Sequence, residues 1–476
     1  MSADATTRSD SHAANRLQAL LDRHAGDGAA AGQRILLKGG SVLSMDGTVG
    51  DFASGDVLIV GDRIAEIGPS ISAGDAVEID ARDHIVMPGF CDPHIHCWEG
   101  ALGRLIPVNI PQTTEDPIGG APVSGRSYMH AAHRLAGPAA RPEDIYAGTL
   151  QSLLAALDGG ITTVVDNMHN ARTPEHSDAS VEALLAAGLR GVHAMGRPRF
   201  GTWAGSFPAD ARRLRDQYFG SDDQLCTMRL YAAGFDDLSE LLPLRKELDM
   251  WFSFDSGIER QDLPSLYREG SFDGREAINH ANFLSPEQRQ IVIDNGAQVN
   301  VCPRIESQFR YGHIPYDEWV EQGLRPGLSN DNPMTFGIDM FAEMRALHLV
   351  QRVDEHRSGK KSATLRELLQ SATQQGANNC GLGDLVGSLT PGKKADIVLL
   401  DTLKPQLFPR NNILSSIVQG ADIGCVDAVL VNGRIVKWGG ELIGTDLTRI
   451  QRLVQESHDY LLDAVDWPHA AIDFED

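Results

Sequence analysis

The segment MPGFCDPHIHCWEG, residues 87–100, places two histidines, His94 and His96, at the end of an apolar run and between two cysteines. On a strand, residues i and i+2 face the same side, so the two imidazoles project together. Such a pair is half of a site for zinc, iron or manganese, provided that other donors converge on it. Further donors end other apolar runs: Asp166, Asn167 and His169 in TTVVDNMHN, His193 in GVHAMG, His280 in AINHAN and Asp331 in GLSNDNP. Each has an ordinary explanation when taken alone. A strand histidine more often packs than ligates, and Asp331 could cap the helix that FGIDMFAEMR begins. Cys91 and Cys97 invite a zinc–thiolate reading, but they read first as small buried hydrophobes. Packing needs do not explain why all the donors sit at the ends of their runs.

Between residues 85 and 360, short apolar runs alternate with helical patterns. The runs predict strands over 85–96, 161–168, 189–195, 226–233, 249–255, 276–282, 297–302 and 326–331. Helices are expected in EDIYAGTLQSLLAALDGG, SVEALLAAGLR, LSELLPLRKEL, SPEQRQIVIDNG and YDEWVEQGLR, several followed by a C-capping glycine. This rhythm is that of the α/β class and fits a (β/α)8 TIM barrel, in which reactive residues gather at the C-terminal ends of the strands. An open doubly wound sheet is the runner-up, but no G-x-G-x-x-G follows the first strand. The alternating runs RILLKGGSVLSM, GDVLIVGDRIAEIG and DAVEIDARD recur in kind near the C-terminus as KKADIVLLD and VDAVLVNGRIVKWGGELI. They predict one small β-sandwich built from both chain ends. The expected division is therefore a flexible N-terminal extension (1–33), an N-terminal sandwich segment (34–84), the barrel (85–385), a C-terminal sandwich segment (386–446), and a final helix and tail (447–476). Within the extension a short helix is expected over 13–24, and the long stretch 101–141 is a candidate lid.

The 476 residues are 42% hydrophobic and 22% charged, with a formal net charge of −23. That acidity argues against nucleic acid or an anionic membrane as the main partner, because phosphate binding needs clustered Lys and Arg. A small molecule is the expected partner. The six cysteines are too few and too scattered for a disulfide framework. The N-terminus lacks a basic start followed by an apolar core, and no apolar run reaches about 18 residues. A reducing cytoplasm is the expected setting.

PGFCDPHIH resembles the P-G-x-x-D-x-H-x-H signature of the amidohydrolase superfamily. GSLTPGKKADIVLLD resembles its return to the β-sandwich, and HANFLSPEQ and GLSNDN resemble its strand-six and strand-eight motifs. The similarity runs from about residue 34 nearly to the end and is closest to the branch of cytosine deaminase, guanine deaminase and the triazine hydrolases. The resemblance implies hydrolysis of a C–N bond, of deaminase or cyclic-amidase type, in a small nitrogen heterocycle by a metal-activated water. It implies one divalent ion, zinc ahead of iron or manganese, and, by analogy, a homo-oligomer. His94 and His96 would bind the ion. His280 would ligate it weakly or polarise the leaving group. Asp331 would bind it and act as base toward the water.

The resemblance breaks at strand five, where the family places another metal histidine and an acid three residues later. Here the strand reads DMWFSFDSGIER, and the best register sets Ser253 and Ser256 at those positions. A neutral hydroxyl is a poor ligand and does not shuttle protons at neutral pH. Asp255 could substitute as an oxygen ligand, and His169 or His193 could fill in from neighbouring strands. Alternatively the site holds no catalytic metal, and the chain is a divergent member with lyase- or decarboxylase-type chemistry or only a ligand-binding role. The metal hydrolase is preferred because the other four positions persist. Expected on the substrate side are Trp98, Glu99, His169, Ser253, and Glu306, Arg310 and His313 of CPRIESQFRYGHIP; Arg304 of that loop could clamp a carboxylate or pair with surface acids.

Overall fold

The chain was analysed as a computed structural model, which describes residues 3–26, 32–106, 128–203, 207–221, 223–233, 238–256, 273–309, 311–467 and 469. Continuous apolar runs such as ITTVVDNM and RGVHAMG are buried along their whole length, as strands covered on both faces must be. Eight such strands run in chain order: β1 (Phe90–Ile95), β2 (Ile161–Met168), β3 (Arg190–Gly196), β4 (Cys226–Ala232), β5 (Phe252–Asp255), β6 (Glu276–Asn279), β7 (Gln298–Val301) and β8 (Gly327–Leu328). Each pairs in parallel with the next. The circle closes just beyond β8, where Ile95 bridges Asp331. There His96 N donates to Asp331 O at 2.8 Å, and Asp331 N donates to His94 O at 3.0 Å. The seam that closes the barrel thus runs through three of the residues singled out for chemistry.

Helices α2 (Pro142–Asp158), α3 (Pro174–Ala187), α4 (Leu238–Leu248), α5 (Pro286–Asp294) and α6 (Met340–Ser358) lie among these strands. The start of α5 is set by SPEQ: the Ser285 side chain accepts from Gln288 N, and Gln288 Oε1 accepts from Ser285 N at 2.9 Å. The cap of α6 is Asp339, which accepts from Ala342 N at 3.0 Å. Asp331 is left free of capping duty.

The expected sandwich takes the form of one nine-stranded sheet that joins the two chain ends. Residues His84–Pro88 sit at the join, parallel to Arg34–Val42 and antiparallel to Ile397–Asp401. A buried ion pair, Arg190 to Asp396 at 2.9 Å, fastens the base of β3 to this sheet.

The N-terminus differs from expectation. An N-terminal helix, α1, spans Ala3–Ala25 rather than 13–24. Leu20 packs into the end sheet's core, and the buried His24 ring lies 2.6 Å from Gln33 Oε1. Arg434 also donates to His24 O at 2.6 Å. The second half of the supposed flexible extension is docked, because these buried partners outweigh its polar composition. The C-terminal helix, α7 (Leu447–Ala464), reaches back to the barrel loops: His458 Nδ1 lies 3.0 Å from Ala101 O, and Arg141 stacks on Tyr460 with 3.5 Å to the ring centre. Of the candidate lid, residues 107–127 lie outside the described ones. The rest holds a 3-10 turn over Cys97–Leu102 and a π-helix over Met129–Ala136, a geometry that recurs at functional sites.

Candidate metal centre

β1 ends in Pro93-His94-Ile95-His96, and barrel closure turns both imidazoles toward the end of β8. His94 Nε2 and His96 Nε2 each lie 3.3 Å from the same oxygen, Asp331 Oδ1. His280 Nε2 comes from the end of β6 and lies 3.9 Å from Asp331 Oδ2. All four side chains are buried. The backbone is bent to achieve this: His280 and Asp331 have φ of 72° and 64°, left-handed values that side chains other than glycine rarely adopt. Strain of that kind persists where surrounding structure enforces it, and it clusters at functional sites.

The other nitrogen of each ring is also engaged. His96 Nδ1 donates to Asn167 O at 3.1 Å. His280 Nδ1 donates to Glu306 Oε1 at 3.1 Å. The Asn167 amide lies 2.6 Å from His94 Nδ1. Nδ2 is the end nearest the ring, and Oδ1 has no partner among the described residues; with the two ends of this amide exchanged, Oδ1 accepts the Nδ1 proton and gains its partner. Each Nδ1 then carries the hydrogen and each Nε2 offers its lone pair to one point. His94 Nε2 makes no hydrogen bond among the described residues, an orphaned buried atom in need of a partner. Three imidazoles with oriented second nitrogens and a shared carboxylate are the donor set of a transition-metal site. The residues present fit a divalent ion.

Without such an ion the same groups lean on protons. Burial opposes charge on His96, but Asp331 outweighs it and lifts the ring to about 9. Burial likewise opposes charge on His280, and Glu306 and Asp331 lift it to about 9. Asp331 is held far below the usual carboxylate range by His94, His96 and His280, against its own burial. The cluster is an anionic hole that calls for positive charge.

Strand five fills its own gap. Asp255, the last residue of β5, brings a carboxylate oxygen within 4.8 Å of donor atoms of both His94 and His280. Ser253, two residues earlier on the same strand, accepts from Arg229 Nη1 at 3.2 Å. Of the two residues on this face of β5, Asp255 is the one whose donor atom approaches His94 and His280. Ser256 is buried, and its hydroxyl has no hydrogen-bond partner among the described residues.

The other candidates separate clearly. His169 stacks on His96, with ring centres 4.3 Å apart and planes 22° apart, and accepts from Trp98 Nε1 at 3.3 Å. Glu99 accepts from the Tyr128 hydroxyl at 2.6 Å, and burial pushes its carboxyl up to about 8. Glu99, His133 and His169 form a second buried group with donor atoms within 4.8 Å of one another. Glu306 orients His280 and also accepts from Cys302 N at 2.8 Å, so it holds a catalytic candidate in place rather than a substrate. His313 is 48% exposed and pairs with Asp354 at 3.2 Å, away from the site. Arg304 is spent on Glu343 and Asn330. Arg310 lies outside the described residues. His193 stacks on Phe219 and does not join the cluster. Asp166 secures the turn after β1 by accepting from Cys97 N at 3.1 Å. Cys91 and Cys97 are buried and belong to none of the metal-capable groups among the described residues.

Several contributors were not singled out as site residues in the sequence, although Asp92 is the aspartate of the P-G-x-x-D-x-H-x-H signature. Asp92 accepts from Asn330 Nδ2 at 2.8 Å, from Ser329 Oγ and from His94 N at 3.2 Å, and so pins β1 to β8. Tyr231 and Arg199 flank Asp255, and Cys302 comes within 4.8 Å of donor atoms of His94 and Asp331. Their proximity depends on barrel register, which no local pattern encodes.

Comparison with known proteins agrees with this geometry. Residues 245–436 match the amidohydrolase family model. A 5-methylthioadenosine/S-adenosylhomocysteine deaminase of Pelotomaculum thermopropionicum is 27% identical over 89% of this chain and 97% of its own. The enzyme of that name from Symbiobacterium thermophilum is 27% identical over 85% and 93%. Among solved structures, a zinc-bound adenosine deaminase of Xanthomonas campestris superposes with TM-score 0.78 at 20% identity, covering 90% of this chain and 98% of that one. The zinc complex of atrazine chlorohydrolase from Arthrobacter aurescens gives 0.77 at 21% identity, covering 89% and 100%.

Proposed function

We propose that the chain, whose residues 245–436 match the amidohydrolase family model, is a member of that superfamily and a metal-dependent deaminase that releases ammonia from an amino-substituted heterocycle. The relatives named as 5-methylthioadenosine/S-adenosylhomocysteine deaminases support an adenine nucleoside as the substrate class. The observation that carries the reading is the convergence of His94, His96 and His280 on Asp331 with every Nδ1 engaged.

His94, His96 and Asp331 would hold the divalent ion, with zinc supported by the neighbours that contain it. A bound ion supplies a Lewis acid and lowers the pKa of water from 15.7 to about 7. Asp331 has oxygens facing all three imidazoles and stays ionised, so it can accept the proton that water gives up as its oxygen bonds to the amino-bearing ring carbon. His280, fixed by Glu306, points its Nε2 at the same space; with a second proton there, which its rise to about 9 favours, it can donate a hydrogen bond to the ring nitrogen that gains charge. The proton held by Asp331 then passes to the departing amine. The C–N bond breaks, a C–O bond remains, and ammonia leaves. His169, Trp98 and Glu99 wall the adjoining space and would contact substrate.

The test is metal content on protein purified without added metal, together with ammonia release from adenine nucleosides. Near-stoichiometric metal that His94→Ala removes, along with turnover, is the expected result. A metal-free protein that still releases ammonia at full rate would overturn it.

A further inference from the structure

We infer that Asp255 is itself a metal ligand, so that a carboxylate stands at the end of β5 and biases the centre toward oxygen-preferring ions such as Mn2+ or Fe2+ over Zn2+. This rests on the metal-dependent reading above and adds a ligand and an ion preference to it.

The geometry comes first. One oxygen of Asp255 lies within 4.8 Å of ring nitrogens of both His94 and His280, and both of those rings also face Asp331. Donor atoms so spaced close around one ion at bond lengths of about 2.0–2.2 Å with small side-chain movements. Asp255 is also held as ligating carboxylates are held. Asn279 Nδ2, on the paired residue of β6, donates to Oδ1 at 3.0 Å. The Tyr231 hydroxyl donates to Oδ2, and Arg199 Nη2 stands 3.8 Å from that oxygen. Outer partners of this kind orient a ligand and tune its strength. These contacts leave each oxygen a further lone pair for an ion.

Charge and hardness then set the preference. His94 and His96 supply neutral nitrogen, while Asp255 and Asp331 supply two anionic oxygens that balance a divalent charge. Imidazole suits zinc, whereas carboxylate suits manganese and magnesium, so exchanging a nitrogen donor for an oxygen donor shifts selectivity in that direction. The competing donor is Cys302, which reaches the same space with His94 and Asp331 and would shift selectivity toward soft ions instead.

The full-length protein, stripped of metal by chelation, is titrated with Mn2+, Fe2+ under anaerobic conditions, and Zn2+. Asp255→Asn, Asp255→His and His94→Ala are measured alongside. Asp255→Asn keeps the shape and loses the charge; its Mn2+ affinity should fall on the order of 10–100-fold. Asp255→His should raise the Zn2+-to-Mn2+ affinity ratio at least about tenfold. Because a histidine there keeps a donor in place, it also serves if the asparagine variant fails to fold. The cobalt(II) form should lack a sulfur-to-cobalt charge-transfer band. Parent-like affinities and ion preference in both Asp255 variants, or such a band that Cys302→Ser abolishes, would overturn the assignment. Should His94→Ala lose the ion while the Asp255 variants keep it unchanged, the metal reading stands and only the role of Asp255 falls. Should the parent bind no divalent ion, both fall.

Discussion

Two buried groups lie side by side at the mouth of the barrel: in one, three imidazole nitrogens lie within 3.9 Å of Asp331, and in the other the donor atoms of Glu99, His133 and His169 fall within 4.8 Å of one another. In the first, His94, His96 and His280 have each Nδ1 engaged and each Nε2 facing Asp331. In the second, beside Glu99 and His133, Trp98 is the donor to His169 Nδ1. An indole N–H only donates, so it occupies the Nδ1 lone pair and leaves the ring hydrogen on Nε2. Burial drives both His133 and His169 well below the usual histidine value, while His96 and His280 of the first group rise to about 9. One group gathers lone pairs around negative charge; the other presents neutral rings and a fixed donor. The same residue types make an ion site or a recognition wall according to which nitrogen the next shell has taken.

The sharpest way to break this contrast is Asp331→Asn. It removes the oxygen that His94 and His96 share and the base, while keeping volume. A loss of kcat/KM on the order of 10³-fold or more is expected, with weakened metal retention measured by elemental analysis. A variant that keeps its metal and most of its rate would place the base elsewhere.

A smaller effect is expected from His169→Phe, which preserves the stacking on His96 and removes the Nε2 donor. Metal content should stay at the parent level, while kcat/KM falls about tenfold, mainly through KM, as for one lost hydrogen bond to substrate. Metal lost in this variant would make the second group belong to the ion site and erase the distinction.

The strand ends carrying His94, His96, His280 and Asp331 were legible because each terminates a run of apolar residues, and a parallel barrel brings run ends together. The family signature added roles to those positions. Strand five stayed ambiguous in the sequence because its regular part is short, Phe252–Asp255, and FSFD alternates so that Ser253 and Asp255 share a face. Only pairing with β4 and β6 shows which of them reaches the ligand layer. Glu306 looked like a substrate contact because its loop faces the site; the structure turns it toward His280. His313 failed for the opposite reason: being in that loop does not stop Asp354 from claiming it at the surface. His133 sits in a π-helix, whose register no 3.6-residue pattern reveals.

The smallest effect tests the second group by charge. Burial lifts the Glu99 carboxyl from its ordinary 4.5 to about 8, so the folded chain keeps a proton that the unfolded chain releases above about pH 5. Between those values the unfolded state binds fewer protons, and the stability of the metal-free protein should therefore fall as pH rises toward about 8. Glu99→Gln retains an oxygen for Tyr128 and does not titrate. Its thermal midpoint should decline less across the same range, so that it gains on the parent at the alkaline end; full burial caps the difference at about 5 kcal/mol. Parallel declines would mean that Glu99 is already ionised in the fold. A buried carboxylate in that state needs a positive partner; the neutral imidazoles of His133 and His169 do not supply one, and His96, lifted to about 9 in the metal-free protein, would have to. The two groups would then share one charge network, and the contrast between an ion site and a neutral wall would fail.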